Sequence, residues 1–205
     1  MPDRVAFLLA HGAGAPSASA WMVGWRDRLA TLGEVRAFDY PYMRAKRKAP
    51  DKLPVLIDAH RAALAELRAT VPDGTPTFLI GKSMGGRVGC HLAVEEQVAG
   101  VICLGYPLRS GATGALRDEV LLALRTPAMF VQGTRDPLCP LDKLAEVRHR
   151  MTATNTLFIV EGGNHSLEVA AADRKARGET QADSDARVLD AIARFTARSR
   201  PTADR

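Results

Sequence analysis

Gly81-Lys82-Ser83-Met84-Gly85 follows the apolar run Thr77-Phe78-Leu79-Ile80 and precedes Gly86-Arg87-Val88-Gly89-Cys90-His91-Leu92-Ala93, a stretch compatible with a helix. These segments read as a strand, a tight turn and a helix, with a serine at the tip of the turn. A serine so placed has to adopt a strained backbone conformation, and small residues two positions to either side let strand and helix approach closely. The hydroxyl is then lifted above the sheet, and the next backbone N–H points at whatever the hydroxyl attacks. The pentapeptide alone is a modest signal. Its strand–helix setting is what gives it weight.

Outward from this turn the chain alternates. Short β-rich, nearly continuous apolar runs fall at 4–10, 34–38, 77–80, 100–104, 128–132 and 156–160, as suits strands of a parallel sheet buried on both faces. Helix candidates lie between and after them at 21–32, 53–70, 84–97, 114–124, 141–151 and 186–198. Leu53, Leu56, Ile57, Leu64 and Leu67 recur at helical spacing, as for a helix laid against a sheet. Strict alternation predicts an α/β, doubly wound, mostly parallel six-stranded sheet with helices on both faces. If the strand order is 2-1-3-4-5-6, the first and third strands are neighbours. Residues 172–184 read as an exposed loop, and the organisation as a single domain over 1–198 with a flexible tail at 199–205. The segment 106–126 leaves no room for a cap domain.

Composition narrows the function classes. With 205 residues, 46% hydrophobic and 25% charged, the chain is an ordinary globular one with a sizeable core. The net charge of +5 is scattered except for Arg44-Ala45-Lys46-Arg47-Lys48, so no nucleic-acid surface is expected. That run reads either as a solvated loop or as an attractor for anionic substrates. Three cysteines without C-x-x-C spacing argue against a disulfide framework. No apolar stretch has membrane-spanning length, and Val5–Ala10 is too short for a signal core, so no membrane partner and a cytoplasmic setting are expected.

A serine hydroxyl is a poor nucleophile near neutral pH and needs a base, which in turn needs an orienting acid. Ser83 follows the third strand, Asp136 the fifth and His165 the sixth, and all three loops leave the carboxyl ends of parallel strands. They are the expected catalytic residues. Two backbone donors should hold the oxyanion: Met84 N–H, and Ala13 N–H from the loop His11-Gly12-Ala13-Gly14. The switch point between the first and third strands places that loop across the crevice from Ser83. Gly12, Gly14, Tyr40, Tyr106 and Pro107 are expected to line the substrate pocket.

Blander roles stand beside these. Asp136 could cap the following helix, with Asp142 or Glu161 as the acid instead. His11 reads as a brace for the oxyanion loop, and His60, His91 and His149 as surface or packed helix residues. Lys82 stays open between tuning the pocket and plain solvation. Gly12-Ala13-Gly14-Ala15-Pro16-Ser17 mimics a dinucleotide fingerprint, but Ser17 replaces the third glycine and Pro16 stands where the helix would begin. Gly81-Lys82-Ser83 mimics the end of a P-loop, but Pro76 occupies the position of its first glycine. No His, Cys and Asp share metal-ligand spacing. No cofactor and no metal are expected.

The segments His11-Gly12-Ala13-Gly14-Ala15-Pro16, Phe38-Asp39-Tyr40-Pro41-Tyr42-Met43, Gly81–Arg87, Leu104-Gly105-Tyr106-Pro107 and Gln132-Gly133-Thr134-Arg135-Asp136-Pro137 occur in that order. With them the chain resembles the small bacterial α/β-hydrolases grouped with a testis-expressed protein and a subunit of the nonspecific-lethal histone acetyltransferase complex, more distantly the dienelactone hydrolases. The resemblance covers residues 3 to about 197. It implies a lidless α/β-hydrolase fold with Ser83, Asp136 and His165 as triad, and it implies no particular substrate. Near the histidine the chain departs from the pattern, with Asn164 and Glu168 where many relatives carry an acidic and then a basic residue. The expected activity is hydrolysis of a small acyl compound, an ester or thioester, through an acyl-enzyme. The rival from another class is a hydrolase-fold binding or scaffold protein without useful turnover.

Overall fold

Strand β1 (Val5–Ala10) is buried along its whole length in the computed structural model, which describes residues 4–111 and 114–199. Its side chains alternate between two cores. Val5, Phe7 and Leu9 join Met22, Trp25 and Leu29 of α1 (Ala20–Leu29) and Val188, Ile192 and Phe195 of α8 (Gln181–Arg198). Ala6, Leu8 and Ala10 join the apolar faces of α3 (Leu53–Arg68), α4 (Met84–Glu95), α5 (Glu119–Ala123) and α6 (Leu141–Arg150). A strand covered on both faces has no polar side to show, which is why it reads as an unbroken apolar run.

The remaining strands are β2 (Gly33–Phe38), β3 (Thr77–Lys82), β4 (Gly100–Leu104), β5 (Ala128–Gly133) and β6 (Asn155–Val160). They form one six-stranded parallel sheet, as expected, in the order β2-β1-β3-β4-β5-β6, which puts β1 beside β3. Ala10 pairs with Gly81, so the loops leaving β1 and β3 emerge side by side at the switch point. Two-sided burial holds for the central strands and fails at the edges. Most of β2 and β6 is only partly covered, and Ile159 is 46% exposed, because an edge strand has a neighbour on one side only.

Several elements differ from the sequence expectation. A short helix α2 (Pro41–Arg44) interrupts the loop after β2, started by Pro41 in the first helical turn, where a missing N–H costs nothing. Residues 172–184 are not an exposed loop: they contain most of α7 (Ala171–Arg177) and the start of α8. Thr180 and Asp183 form a reciprocal capping box that starts α8 five residues before the expected position, and Gly178 ends α7 in the left-handed conformation. The helix expected over 114–124 shrinks to α5, because Leu116 bridges back to Arg109. Among the described residues no separate cap is present, and no helix is long and apolar enough to cross a membrane. Apart from Ser199, the expected tail lies outside the described residues.

Beneath the loops after β1 and β2 lies a polar knot. His60 of α3 is fully buried, hydrogen-bonded through Nδ1 to the Tyr40 hydroxyl at 3.1 Å, with its Nε2 unpartnered. Burial pushes its pKa down to about 3. An unfolded imidazole titrates near 6.5, so the unfolded chain binds this proton first. Stability linked to His60 is therefore full above about pH 6.5 and drains as pH falls toward about 3, at roughly 1.4 kcal/mol per pH unit. Urea melts of His60→Gln should show a slope of unfolding free energy between about pH 6 and pH 4 that is shallower by about 1 kcal/mol per unit than in the unsubstituted protein. Parallel slopes would mean that His60 is protonated in the folded state.

Candidate active site

Ser83 joins β3 to α4 with φ 48° and ψ −113°, a region that side chains other than glycine rarely enter. Two glycines make that turn possible. A Cβ on Gly81 would stand 2.3 Å from the Gly85 carbonyl carbon and the Gly86 nitrogen, and one on Gly85 would stand 2.5 Å from the Ala10 carbonyl oxygen. The turn is anchored from the next strand, where the Leu104 carbonyl accepts the Ser83 N–H at 3.0 Å.

The structure brings Ser83, His165 and Asp136 into one hydrogen-bonded chain. His165 Nδ1 lies 2.7 Å from Asp136 Oδ2, and His165 Nε2 lies 2.8 Å from Ser83 Oγ. An ionised carboxylate only accepts, so Nδ1 carries the proton, and Nε2 of the neutral ring accepts from the serine hydroxyl. The Asp136 side chain is fully buried, while His165 is about a quarter exposed (24%). Asp136 is not a helix cap. Its Oδ1 accepts the Leu138 N–H at 2.9 Å, and α6 starts after Pro140. Asp142 sits in the first turn of α6, and Glu161 reaches only Thr134, so neither takes its place.

Gln132, at the end of β5, escaped the sequence reading. Its Oε1 accepts the Tyr106 N–H at 3.0 Å, which turns its amide NH₂ toward Asp136 Oδ2. A lone polar residue in the buried strand AMFVQG was the available signal. Asn164 shapes the histidine loop: its Oδ1 accepts the backbone N–H of Ser166 at 2.7 Å and of Glu168 at 3.0 Å. The departure from the family pattern at this position thus builds a turn.

On the other side of the serine lies the loop after β1. Gly12 packs against the elbow, where an added Cβ would stand 3.6 Å from Ser83 Cβ. His11 is buried and neutral, its pKa lowered by burial against opposing effects of Gly12 and Asp39. Its Nε2 accepts the Tyr40 N–H at 3.1 Å, so Nδ1–H donates to the Gly12 carbonyl at 2.6 Å. The Tyr42 hydroxyl donates to the Ala13 carbonyl at 3.0 Å. Burial, then Asp39 and Asp51, push its pKa up to about 12, so it stays a donor. With the carbonyls of Gly12 and Ala13 occupied, the Ala13 N–H has no partner among the described residues. Met84 opens α4, so its N–H has no acceptor one turn back.

The expected pocket divides. Gly14 and Ala13 are exposed at the rim, and Gly12 is buried against the elbow. Tyr40, Tyr106 and Pro107 do not line an open pocket, because all three are buried. Tyr40 supports His11 and His60, and the Tyr106 hydroxyl donates to the Arg117 carbonyl at 2.9 Å. Hollows of about 420 and 250 Å³ flank the histidine loop on its outer side without including Ser83. The basic run is partly tied down: Arg44 donates to the Asp39 carbonyl, and Arg47 pairs with Asp51 at 2.6 Å.

Lys82 is neither free nor simply solvated. It is half-buried, its Nζ donates to Ser166 Oγ at 2.7 Å, and the ammonium stands 4.4 Å from the centre of the Trp21 ring. Trp21 Nε1–H donates to the Ser166 carbonyl at 2.9 Å. Burial lowers the Lys82 pKa, and Glu168 partly offsets this. Lysine and tryptophan thus clamp the residue next to His165.

A hydroxyl bonded to a neutral imidazole, with a buried carboxylate on the far nitrogen and two backbone donors left over, can carry acyl transfer. Among the described residues no group of three or more His, Cys, Asp or Glu is placed to hold a metal ion. A family model described as an alpha/beta hydrolase domain matches residues 3–197. Solved structures share the fold at low identity. An alpha-beta serine hydrolase homologue from Coxiella burnetii is 15% identical with a TM-score of 0.68, over 95% of this chain and 84% of that one. Est1E from Butyrivibrio proteoclasticus is 14% identical with a TM-score of 0.67, over 97% and 89%. A dienelactone hydrolase from Anabaena variabilis is 17% identical with a TM-score of 0.65, over 96% and 85%.

The clamp is open to test by hydrogen exchange. A hydrogen bond from an ammonium contributes about 1.5–3 kcal/mol when sheltered, and half-burial puts this one at the low end. Lys82→Met keeps the stem and removes the donor. Exchange over residues 164–169 should speed up by about tenfold in this variant while β3 and α4 stay protected. Unchanged protection of that segment would show that Lys82 does not hold it.

Proposed function

Because the chain belongs to the alpha/beta hydrolase domain family, we propose that it is a serine hydrolase that cleaves a small ester or thioester through an acyl-enzyme. The observation that carries this reading is the unbroken chain from Ser83 Oγ through His165 to buried Asp136, at 2.8 and 2.7 Å. In this reading Ser83 Oγ attacks the substrate carbonyl carbon while His165 Nε2 takes its proton. Asp136 holds the proton on Nδ1 and stabilises the imidazolium that forms. The N–H groups of Met84 and Ala13 hold the oxyanion. Collapse of the tetrahedral intermediate breaks the bond to the alcohol or thiol, which leaves with the proton from Nε2. Water then attacks the acyl-enzyme by the same route in reverse and frees the acid.

The narrower likeness to the group of the testis-expressed protein rests on Tyr40-Pro41-Tyr42-Met43 and Gly105-Tyr106-Pro107. Those residues support the loops of the site, which gives the likeness a physical basis. One branch of that group serves as a complex subunit, and the corresponding alternative here is a scaffold without turnover. The neutral, donor-ready geometry at Ser83 favours the enzyme.

A fluorophosphonate probe should label the protein stoichiometrically at Ser83 and leave Ser83→Ala unlabelled. Asp136→Asn, which misdirects the histidine tautomer, should lower kcat for a short ester by about 10³–10⁴. Failure of the folded wild-type protein to react with the probe would favour the scaffold.

The rim at Ala13 and Gly14 is exposed and no cap is present among the described residues. Hydrolysis of short soluble esters should therefore rise smoothly with concentration and show no jump when a lipid interface forms. A sharp activation at the interface would mean that the crevice is covered.

A further inference from the structure

Arg87 stands one helical turn beyond Ser83, and its N–H donates to the Ser83 carbonyl at 3.1 Å. Helical side chains lean toward the N-terminus of their helix, so a long side chain at position 87 extends back over the turn that holds Ser83 and Met84. Met84, Arg87 and His91 form the half-buried face of α4 beside the buried Val88, Leu92 and helix glycines, with Met84 packed against the core.

The Arg87 guanidinium makes no hydrogen bond and no ion pair among the described residues, and its Nε is buried without a partner. Arg174, far along the chain, shares this unpartnered Nε, whereas Arg28 pairs with Asp185, Arg47 with Asp51 and Arg187 with Glu179. One turn on, His91 Nε2 is also buried and unpartnered. Arg117, whose backbone carbonyl accepts the Tyr106 hydroxyl at 2.9 Å, has one side-chain bond among the described residues, to Ser110 Oγ at 3.1 Å, while neighbouring Asp118 turns to Arg150 at 3.3 Å. Burial and then the Arg87 charge push the His91 pKa down to about 4, and the same two causes, in that order, lower Arg117. Tyr106 partly offsets the effect on Arg117. An unpaired guanidinium beside an unfilled buried imidazole nitrogen, near the positive end of a helix, forms a site short of one anion.

We propose that Arg87, with Arg117 and His91, forms an anion subsite that selects ester substrates carrying a carboxylate. The proposal rests on the serine-hydrolase reading for its use, though not for the binding itself. Arg87 is rooted about 6 Å of helix rise from Ser83 and leans back over that turn, so the carboxylate belongs close to the ester, as in the half-ester of a short diacid. It also moves the recognition of negative charge from the basic run after β2 to the nucleophile helix.

Two substrate pairs test this and locate the charge. Mono-4-nitrophenyl glutarate against 4-nitrophenyl valerate places it on the acyl side, and 4-acetoxybenzoate against its methyl ester on the alcohol side. In at least one pair the charged member should be preferred in kcat/KM, and Arg87→Gln should cut that charged-to-neutral ratio by about tenfold or more, with Arg87→Lys restoring part of it. If Arg87→Gln does not fold, Arg117→Gln carries the same comparison. A ratio unmoved by the substitution, or a preference for the neutral member in both pairs, overturns the subsite.

If Ser83 takes no fluorophosphonate and no ester turns over, the hydrolase reading has failed, and glutarate binding decides the subsite alone. A saturable shift of the His91 ring resonance in wild type that is absent in Arg87→Gln supports it. No shift in wild type overturns it.

Discussion

Strand β3 and helix α4 meet at Ser83 with so little space that Gly81 and Gly85 touch backbone where any other residue would place a side chain. The rest of the site follows from that contact. It forces the serine to a φ of 48°, sets the first free N–H of α4 beside the hydroxyl, and brings β1 against the helix through the Ala10 carbonyl. Strain of this kind costs about 1–3 kcal/mol and persists only where the surroundings over-determine it. Here the Leu104 carbonyl, the two-sided core and the close glycine contacts supply that restraint.

Around the elbow the polar groups work in pairs, each deciding the orientation of the next. Tyr106 sets the Gln132 amide, and Gln132 and Leu138 set Asp136, which sets the tautomer of His165. On the opposite rim Tyr40 sets the tautomer of His11, which fixes the Gly12 carbonyl. Both rims therefore rest on buried, neutral or fully satisfied groups, as a low-dielectric interior demands. Lys82 and Arg87 differ in kind. The first spends its charge on tying down a loop, and the second leaves its charge unpaired one helical turn from Ser83.

Much of this was legible in the sequence because it obeys local rules. Apolar runs located the six strands, alternation predicted a mostly parallel sheet, and strand-end position singled out Asp136 over Asp142. What escaped depends on partners distant in the chain. Tyr40 and Tyr106 look like pocket residues until their hydroxyls are traced to His60 and Arg117. Gln132 has no motif of its own, and Arg47 is basic in sequence but neutralised in space by Asp51. The capping box at Thr180 and Asp183 was a local signal, and the polarity of residues 172–184 masked it.

The parallel topology also governs when the site comes into being. No two strands of the sheet are joined by a hairpin, so each pairing waits for a crossover to fold, and chains built from such distant contacts fold slowly. Ser83 and His165 lie 82 residues apart, and Asp136 and His165 lie 29 apart. A nascent or half-folded chain carries Ser83 without His165, Asp136 or the loop after β1 beside it. The hydrogen-bonded chain from Ser83 to Asp136 is thus a late product of folding, and an incomplete molecule exposes a lone serine hydroxyl.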